Sequence, residues 1–308
     1  MRATTRGVGV IAAMIALASC APRSGPSPAI ELRVWGIGRE GEVLRELVPA
    51  FEREHPGVRV RVQQIPWSAA HEKLLTAHVG DVLPDVAQMG NTWLPEFSAL
   101  RALAPLDSFV ARSAVVRSAA FFPGSWATNR VDGALVGVPW YVDTRLLFYR
   151  RDLLAEAGWP RPPRTWAEWR AAMRAVRARS AGARHGALLP VNEFELPVIL
   201  GMQANASLVD VRASRGAFRD SAFRSSYDFY LSLFRDSLAP RIGSNEVGNL
   251  HQEFARGRFV FFVSGPWNVG ELTRRLPESL KDAWRTAPMP ARDTGGIGVS
   301  TAGGSSLV

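Results

Sequence analysis

Residues 30–65 read IELRVWGIGREGEVLRELVPAFEREHPGVRVRVQQI, and this stretch decides the fold class. It begins with an apolar, β-prone run from Ile30 to Trp35, which a glycine turn follows. Pro56-Gly57 ends the next segment, and valines then alternate with polar residues from Val58 to Gln63, as in a strand with one polar face. Between the glycine turn and Pro56-Gly57, apolar residues recur at the spacing of a helix, at Val43, Leu44, Leu47, Val48 and Phe51. The order strand, helix, strand predicts an α/β fold with mostly parallel sheets flanked by helices.

The same alternation continues along the chain. Thr165 and Glu168 form a capping box before one helix, and Asp132-Gly133 supplies a turn. Further strands are predicted at residues 84–89, 145–150, 185–189 and 258–263, the last buried on both faces. Further helices are predicted at residues 68–79 with Ser68 as N-cap, 92–100, 152–157, 196–204, 218–238 with an aromatic core stripe, and 246–256. This succession fits two α/β units better than one oversized sheet.

The N-terminus carries a targeting signal. Arg2 and Arg6 precede an apolar run of about ten residues, too short to span a bilayer, that ends in Leu17-Ala18-Ser19-Cys20. Cys20 is the only cysteine, so it has no partner for an internal disulfide. The box resembles the bacterial lipoprotein signal, which implies that residues 1–19 are removed and that a lipid on Cys20 holds the protein at a membrane outside the cytoplasm. Residues 20–29 are expected to form a flexible tether.

The charge pattern argues against a nucleic-acid partner. The formal net charge is +9, and arginine supplies almost all of the positive charge. Arg59 and Arg61 alternate with valines on a predicted strand, and other arginines punctuate a helix at positions 170, 174, 177 and 179. A nucleic-acid surface would concentrate such residues on one face. Scattered arginines instead indicate solvated faces.

Three motifs suggest catalysis or a cofactor, and each lacks a required residue. Gly36-x-Gly38-x-x-Gly41 is not followed by an acid near the end of the second strand, so a dinucleotide site is rejected in favour of a glycine turn. His71 and His78 do not have the spacing of a zinc-protease helix. Ser264 lacks the preceding glycine of a nucleophile elbow. We therefore expect neither enzymatic activity nor a cofactor or metal.

Aromatic residues end or follow several predicted strands, at Trp35, Trp93, Trp140, Tyr141 and Trp267. Ligands of open α/β sheets bind outside the carboxyl ends of strands, so these rings are expected to face a cleft. Aromatic faces beside carboxylates such as Asp143 and Glu193 suit a neutral polyhydroxy ligand. For any one tryptophan, core packing is an equal alternative, and only the shared placement favours a site.

Short motifs in a fixed order carry a family resemblance from Ile30 to the end of the chain. They include Leu32-Arg33-Val34-Trp35, Phe51-Glu52-Arg53-Glu54-His55-Pro56-Gly57-Val58, Pro84-Asp85-Val86, Phe148-Tyr149-Arg150-Arg151-Asp152-Leu153-Leu154, Pro163-Arg164-Thr165-Trp166, Phe261-Phe262-Val263-Ser264-Gly265-Pro266-Trp267 and Gly303-Gly304. With these motifs the chain resembles the bacterial extracellular solute-binding proteins, which include maltose- and other sugar-binding components of ABC importers.

The resemblance implies a two-lobed periplasmic-binding-protein fold with a hinge. The lobes are expected at residues 30–139 and 140–294, and residues 295–308 form an incomplete return segment to the first lobe. The implied function is to close around a sugar or oligosaccharide and to deliver it, as a monomer, to membrane permease subunits. Ring stacking is implied for Trp267, hydroxyl binding for the carboxylates Asp143 and Glu193, and further contacts for Glu40, Asn91, Trp93, Gly303 and Gly304 together with the strand-end aromatics.

Two alternatives remain open. A surface lipoprotein that hydrolyses carbohydrates would use two carboxylates flanking one glycosidic bond. The same receptor fold could also take a different solute, such as glycerol phosphate, a peptide or a cation.

Overall fold

The computed structural model describes residues 29–308. The predicted signal peptide, Cys20 and all but the last residue of the predicted tether lie outside the described residues. The chain forms two compact units, one ending at Met89 but also including Leu307–Val308, the other running over Gly90–Ser306. The lobe boundaries expected from the sequence stay predictions. No helix among residues 29–308 has the length and apolarity needed to cross a bilayer.

The first unit contains a parallel sheet. Its elements are β1 (Ile30–Ile37), α1 (Glu40–Glu54), β2 (Val58–Ile65), α2 (Trp67–Val79) and β3 (Val86–Gly90), whose last residue belongs to the second unit. β1 pairs in parallel with both β2 and β3, and its register with β2 runs from Ile30 opposite Val58 to Ile37 opposite Ile65. Ala87 of β3 also exchanges two backbone hydrogen bonds of 3.0 Å with Val308. The parallel order predicted for this part of the chain is confirmed.

The turn between β1 and α1 needs glycine for close packing. Gly38 has a φ of +61°, and a Cβ on Gly36 would lie 2.6 Å from the Cα of Gly41. A Cβ on Gly41 would lie 2.9 Å from Cγ of Gln64 in β2. The plain glycine turn predicted from the sequence therefore accounts for all three glycines. α2, however, begins one residue earlier than predicted, with Pro66 at its N-cap, and Ser68 does not cap it.

The second unit contains the remaining elements. Its helices are α3 (Leu94–Ala99), α4 (Asp107–Ala111), α5 (Pro123–Ala127), α6 (Arg151–Glu156), α7 (Trp166–Arg179), α8 (Glu195–Gln203), α9 (Ser221–Arg235), α10 (Leu250–Ala255) and α11 (Trp267–Arg275). Its strands are β4 (Arg130–Val131), β5 (Ala134–Leu135), β6 (Val138–Thr144), β7 (Leu146–Arg150), β8 (His185–Leu188), β9 (Val209–Asp210), β10 (Arg215–Gly216), β11 (Phe259–Ser264), β12 (Trp284–Ala287) and β13 (Ala302–Leu307), whose last residue is counted with the first unit.

The main sheet of the second unit has the strand order β12-β7-β11-β8. β11 pairs in parallel with β8 but antiparallel with β7, and β7 pairs antiparallel with β12. β8, β11 and β12 thus run in one direction and β7 alone runs against them, so the expectation of a mostly parallel sheet fails only for β7. A single crossover helix returns the chain so that the next strand runs parallel to the first. Two helices, α6 and α7, lie between β7 and β8, so the chain reverses once more and β8 runs opposite to β7.

The core of the second unit surrounds β11. Phe261 and Val260 are completely buried and point to opposite faces of the strand, as the sequence predicted. Trp169 of α7 meets Phe261 edge to face, with ring centroids 6.4 Å apart. The aromatic stripe of α9 also joins the core through Phe223, Tyr230 and Phe234, while Tyr227 of the same stripe is 40% exposed.

Three helix predictions need correction in detail. α9 begins at Ser221 rather than at residue 218, because the Asp220 side chain caps it. The helix predicted over residues 246–256 is divided into a 3-10 turn at Ser244–Glu246 and α10, since Gly248 between them has a φ of +69°. The capping box of α7 is half formed: Thr165 Oγ1 accepts a hydrogen bond from Glu168 N, but Glu168 Oε2 accepts one from Arg164 N.

A buried polar chain links α7, α8 and the segment before β13, and it yields a stability prediction. Trp166 Nε1 donates to Gln203 Oε1 at 2.6 Å, and Gln203 Nε2 donates to the Val299 carbonyl at 2.7 Å. Gln203→Leu leaves the Trp166 indole N–H and the Val299 carbonyl without their hydrogen-bond partner, so the free energy of unfolding should fall by about 1–3 kcal/mol in urea denaturation. Gln252→Leu, at an exposed position of α10, is the control and should change it by about 0.5 kcal/mol or less. Equal losses in the two variants would contradict the prediction.

Candidate ligand-binding site

One arginine of the second unit joins two carboxylates from separate elements. Arg145 lies between β6 and β7, and its Nη1 is 3.1 Å from Asp143 Oδ1 at the end of β6. Its Nη2 is 2.9 Å from Oε1 of Glu195, the first residue of α8. The side chains of Asp143 and Arg145 are only 13% and 19% exposed, so both ion pairs are largely shielded from water.

The ring of Trp267 completes this cluster. Trp267 is the first residue of α11, and the short link Gly265-Pro266 joins it to the end of β11 at Ser264. The Arg145 guanidinium carbon lies 4.9 Å from the centroid of its ring, within cation–π range. The residue is 49% exposed, so part of the indole is open to solvent. The cluster of Asp143, Arg145, Glu195 and Trp267 is called the Arg145 cluster below.

Buried polar contacts fix the start of α11, which carries Trp267. Asn268 is buried, and its Nδ2 donates to Ser264 Oγ at 2.7 Å. The Asn268 Oδ1 atom is 2.8 Å from His251 Nε2 of α10. Gly265 leaves room for the indole itself, because a Cβ at that position would overlap the six-membered ring of Trp267. The position of the ring therefore depends on both polar contacts and a missing side chain.

Glu193 lies beside the Arg145 cluster. It lines a small cavity of about 20 Å³ together with Arg145, Glu195 and Tyr230. Desolvation raises the pKa of the Glu193 carboxyl, and the nearby charge of Glu195 raises it further. Desolvation also raises the pKa of Asp143, against the opposing effect of Arg145. Burial likewise raises the pKa of Tyr230 to about 12, so its hydroxyl stays protonated at neutral pH.

Residues near the end of the chain also contact the cluster. Ser300 Oγ accepts a hydrogen bond from Arg145 N at 3.2 Å and donates one to Arg145 O at 2.9 Å. β13 runs beside β6, and a Cβ on Gly303 would lie 2.6 Å from Asp143 Oδ1. Gly304 has a φ of +142° and packs against the Tyr141 carbonyl. Both predicted glycines thus serve the close approach of β13 to β6; contact with a ligand stays a prediction for them.

Two other predicted aromatics line a different pocket of the second unit. Trp140 and Tyr141 have ring centroids 6.1 Å apart, and both border a pocket of about 550 Å³. Phe121 and Phe122 lie on the same pocket, and the residues that line it carry no formal charge. Its volume and neutral aromatic lining are suited to a small organic ligand.

The remaining predicted residues lie elsewhere. Trp35 is half-buried and lies within β1 of the first unit, two residues before the strand ends, and the Lys73 ammonium lies 5.0 Å from its ring centroid. Glu40 is the first residue of α1 in the same unit. Asn91 and Trp93 form the 3-10 turn that follows β3, and both are half-buried. Their roles as ligand contacts stay predictions.

Comparison with known proteins decides the family. The family model described as bacterial extracellular solute-binding protein matches residues 35–306. The chain belongs to this family. The solved structure of the sugar-binding protein MalE from the phytopathogen Xanthomonas citri is 48% identical, covers 90% of this chain and 70% of its own, and superposes with a TM-score of 0.78. The predicted α/β fold of the two-lobed, periplasmic-binding-protein type is thereby confirmed.

Two curated relatives of this solute-binding protein extend the comparison. The galactooligosaccharide-binding protein of Bacillus subtilis is 24% identical over 274 residues, which cover 84% of this chain and 62% of the relative. An uncharacterized lipoprotein of Streptomyces antibioticus is 26% identical over 293 residues, which cover 90% of this chain and 63% of the relative. The chain therefore spans less than two thirds of the length of either protein.

The Arg145 cluster contains residues that the sequence did not reveal. Arg145 and Glu195 were not predicted, because nothing in the local pattern distinguishes them from other scattered charges. Phe121 and Phe122 of the larger pocket were also missed, since they precede a short helix rather than follow a strand. The adjacent aromatics of the run Phe121-Phe122-Pro123 were the available signal, because neighbouring apolar residues form a surface patch where they are exposed, and Phe122 is 70% exposed.

The close fit of Trp267 over Gly265 leads to a second prediction. Gly265→Ala must displace the indole ring, and such overpacking costs about 1–3 kcal/mol of unfolding free energy in urea denaturation. In a Trp267→Ala background the same substitution should cost much less, because the overlapping atoms are gone. Gly124→Ala, which meets no atom within 4 Å, is the control and should not destabilise the protein. Equal costs of Gly265→Ala in both backgrounds would refute the proposed fit.

Proposed function

We propose that this chain is the solute-binding component of an ABC importer, held outside the cytoplasm by a lipid on Cys20, and that it binds a sugar or oligosaccharide and delivers it to a membrane permease. Family membership supports the extracytoplasmic binding role. The names of its relatives support the ligand class, since one is a sugar-binding protein and another a galactooligosaccharide-binding protein. The lipoprotein from Streptomyces antibioticus supports the lipid anchor.

The observation that carries the sugar proposal is the exposed indole of Trp267 beside carboxylate acceptors. A sugar ring offers C–H faces that pack on an aromatic ring and hydroxyl groups that donate to carboxylates. Asp143 and Glu195 lie around the same guanidinium as Trp267, and Glu193 adjoins them. One solute molecule could therefore meet both kinds of contact within the second unit.

The charge of these residues argues against an anionic solute. Three carboxylates, Asp143, Glu193 and Glu195, surround one guanidinium. A phosphate or carboxylate on the solute would meet more like charge than opposite charge, and like charges in a partly desolvated site repel strongly. Glycerol phosphate is thus a poorer fit than a neutral sugar. The larger pocket at Trp140 and Tyr141, which has an uncharged lining, agrees with that choice.

The competing proposal is a carbohydrate hydrolase. The observation that favours a hydrolase is the same group of carboxylates, Asp143, Glu193 and Glu195. Glycoside hydrolysis uses a pair of such acids on opposite sides of the bond that is cleaved. Incubation of the full chain with maltooligosaccharides and galactooligosaccharides distinguishes the two. Saturable binding without new reducing ends supports the receptor, whereas turnover that Glu193→Gln abolishes would replace it by the enzyme.

Replacing Trp267 should weaken sugar binding. Burying an aromatic side chain is worth about 1.5–3 kcal/mol, so Trp267→Ala should lower the affinity for the best-bound oligosaccharide about 10- to 100-fold in isothermal titration calorimetry. Trp267→Phe keeps an aromatic face and should lose less. Phe109→Ala is the matched control, because Phe109 is also exposed and also packs against an arginine, at 5.5 Å from Arg112. Unchanged affinity in Trp267→Ala would contradict the stacking model.

The lipid anchor has its own test. Cys20→Ser removes the thiol that would carry the lipid, so the protein should move from the membrane fraction to the soluble extracytoplasmic fraction of the cell. Metabolic labelling with a radioactive or alkyne-bearing fatty acid should mark the wild-type protein and not the variant. Labelling of Cys20→Ser at the wild-type level would rule out this site of attachment.

A further inference from the structure

Arg145 contacts more separate elements than a simple surface ion pair would. Its guanidinium reaches Asp143 on β6, Glu195 on α8 and the Trp267 ring on α11. Its backbone N–H and carbonyl are both hydrogen-bonded to the Ser300 hydroxyl. One residue therefore touches the three side chains that the proposed sugar site brings together, and also the segment that leads into β13.

We propose that Arg145 is the positioning residue of the proposed sugar site: it fixes the Trp267 ring and the Asp143 and Glu195 carboxylates relative to one another, so that a sugar meets the ring face and the acceptors at the same time. The proposal rests on the function proposed above. It adds a residue and a role that the family resemblance did not supply.

The geometry suits arginine in particular. The planar guanidinium presents Nη1 to one carboxylate and Nη2 to another, at 3.1 and 2.9 Å, while its carbon lies over the indole. A lysine ammonium is a point charge without a flat face, so it could not hold the two carboxylates in this fixed planar geometry while a flat group lies against the ring. The partial burial of the pairs strengthens them relative to exposed ion pairs, which contribute little.

Positioning matters to affinity because the three groups stand on different elements. Without the guanidinium, Asp143 and Glu195 would be neighbouring carboxylates without a shared cation, and the indole would lose its contact on one side. The side chains would then have to be ordered when the sugar binds, and each immobilised side chain costs affinity. A preformed arrangement avoids that cost before the solute arrives.

The first test needs no ligand. In protein labelled with 5-fluorotryptophan, the resonance that disappears in Trp267→Phe identifies the ring of Trp267. Arg145→Met should move that resonance and leave those of the distant tryptophans unchanged. Arg170→Met is the matched control, because Arg170 also donates two hydrogen bonds to a carboxylate, that of Asp236, in the same unit. An unmoved Trp267 resonance in Arg145→Met would overturn the proposal.

The second test is a double-mutant cycle on sugar affinity. Arg145→Met should weaken binding of the best oligosaccharide by about tenfold or more, but by clearly less in a Trp267→Ala background, because part of its effect passes through the ring. Arg145→Lys keeps the charge, and therefore also serves where Arg145→Met does not fold; it should recover little of the lost affinity. Full affinity in Arg145→Lys, or equal losses in both backgrounds, would overturn the positioning role.

The two proposals fail in different ways. Absence of sugar binding by the wild-type chain, together with a shifted Trp267 resonance in Arg145→Met, would reject the sugar-receptor function and leave the arrangement around Arg145 intact. Sugar binding by the wild type that is insensitive to both Arg145 variants would keep the receptor function and reject the positioning role.

Discussion

The burial of β11 between β7 and β8 is the constraint on which the second unit and its candidate site depend. Phe261 packs on Trp169 on one side of the strand, and Phe262 stacks on Phe148 with ring centroids 4.8 Å apart. A shift of one residue would exchange every side chain between the two faces, so the register is strongly fixed. Because only Gly265 and Pro266 separate β11 from Trp267, that fixed register also determines where the indole emerges. The core thus fixes the position of the candidate site.

Electrostatics around Arg145 follow from the same packing. Burial disfavours the charged form of Asp143, and the guanidinium only partly offsets this, so the pKa of the carboxyl stays raised. Burial also raises the pKa of the Glu193 carboxyl, and the charge of Glu195 raises it further. Partly desolvated carboxylates that share one cation are short of hydrogen-bond donors. Solute hydroxyls would supply the missing donors, which gives a physical reason for neutral polyhydroxy ligands at this position.

Sequence patterns predicted the local structure well and the tertiary contacts only in part. The structure contains the strand with alternating valines, the glycine turn before α1 and the apolar strand β11, all of which were predicted. Each of these features depends only on residues that are close together in the sequence. The antiparallel direction of β7 depends on how many helices return the chain, which no local pattern records. Arg145 was not predicted because its role depends on a distant contact: its partner Glu195 lies 50 residues away along the chain. The residues next to Arg145 in the sequence give it the pattern of an ordinary arginine at the end of a strand. The position of Trp267 just after a strand was predictable, because Gly265-Pro266 marks the end of the buried apolar run of β11; its contact with a ligand stays a prediction.

The arrangement of the carboxylates also bears on the choice between the two proposed functions, solute binding and glycoside hydrolysis. A glycosidase needs one acid that keeps its proton to donate to the leaving group while its partner is ionised or activates water. Asp143 and Glu195 both bind the same guanidinium, which holds the two carboxylates on one cation rather than on opposite sides of a bond. Glu193 lies outside that pair, and the pKa of its carboxyl is raised. The other carboxylate that lines the small cavity with Glu193 is Glu195, which is already bound to Arg145. An arrangement that commits two of its three acids to one arginine favours accepting hydrogen bonds from a solute over cleaving it.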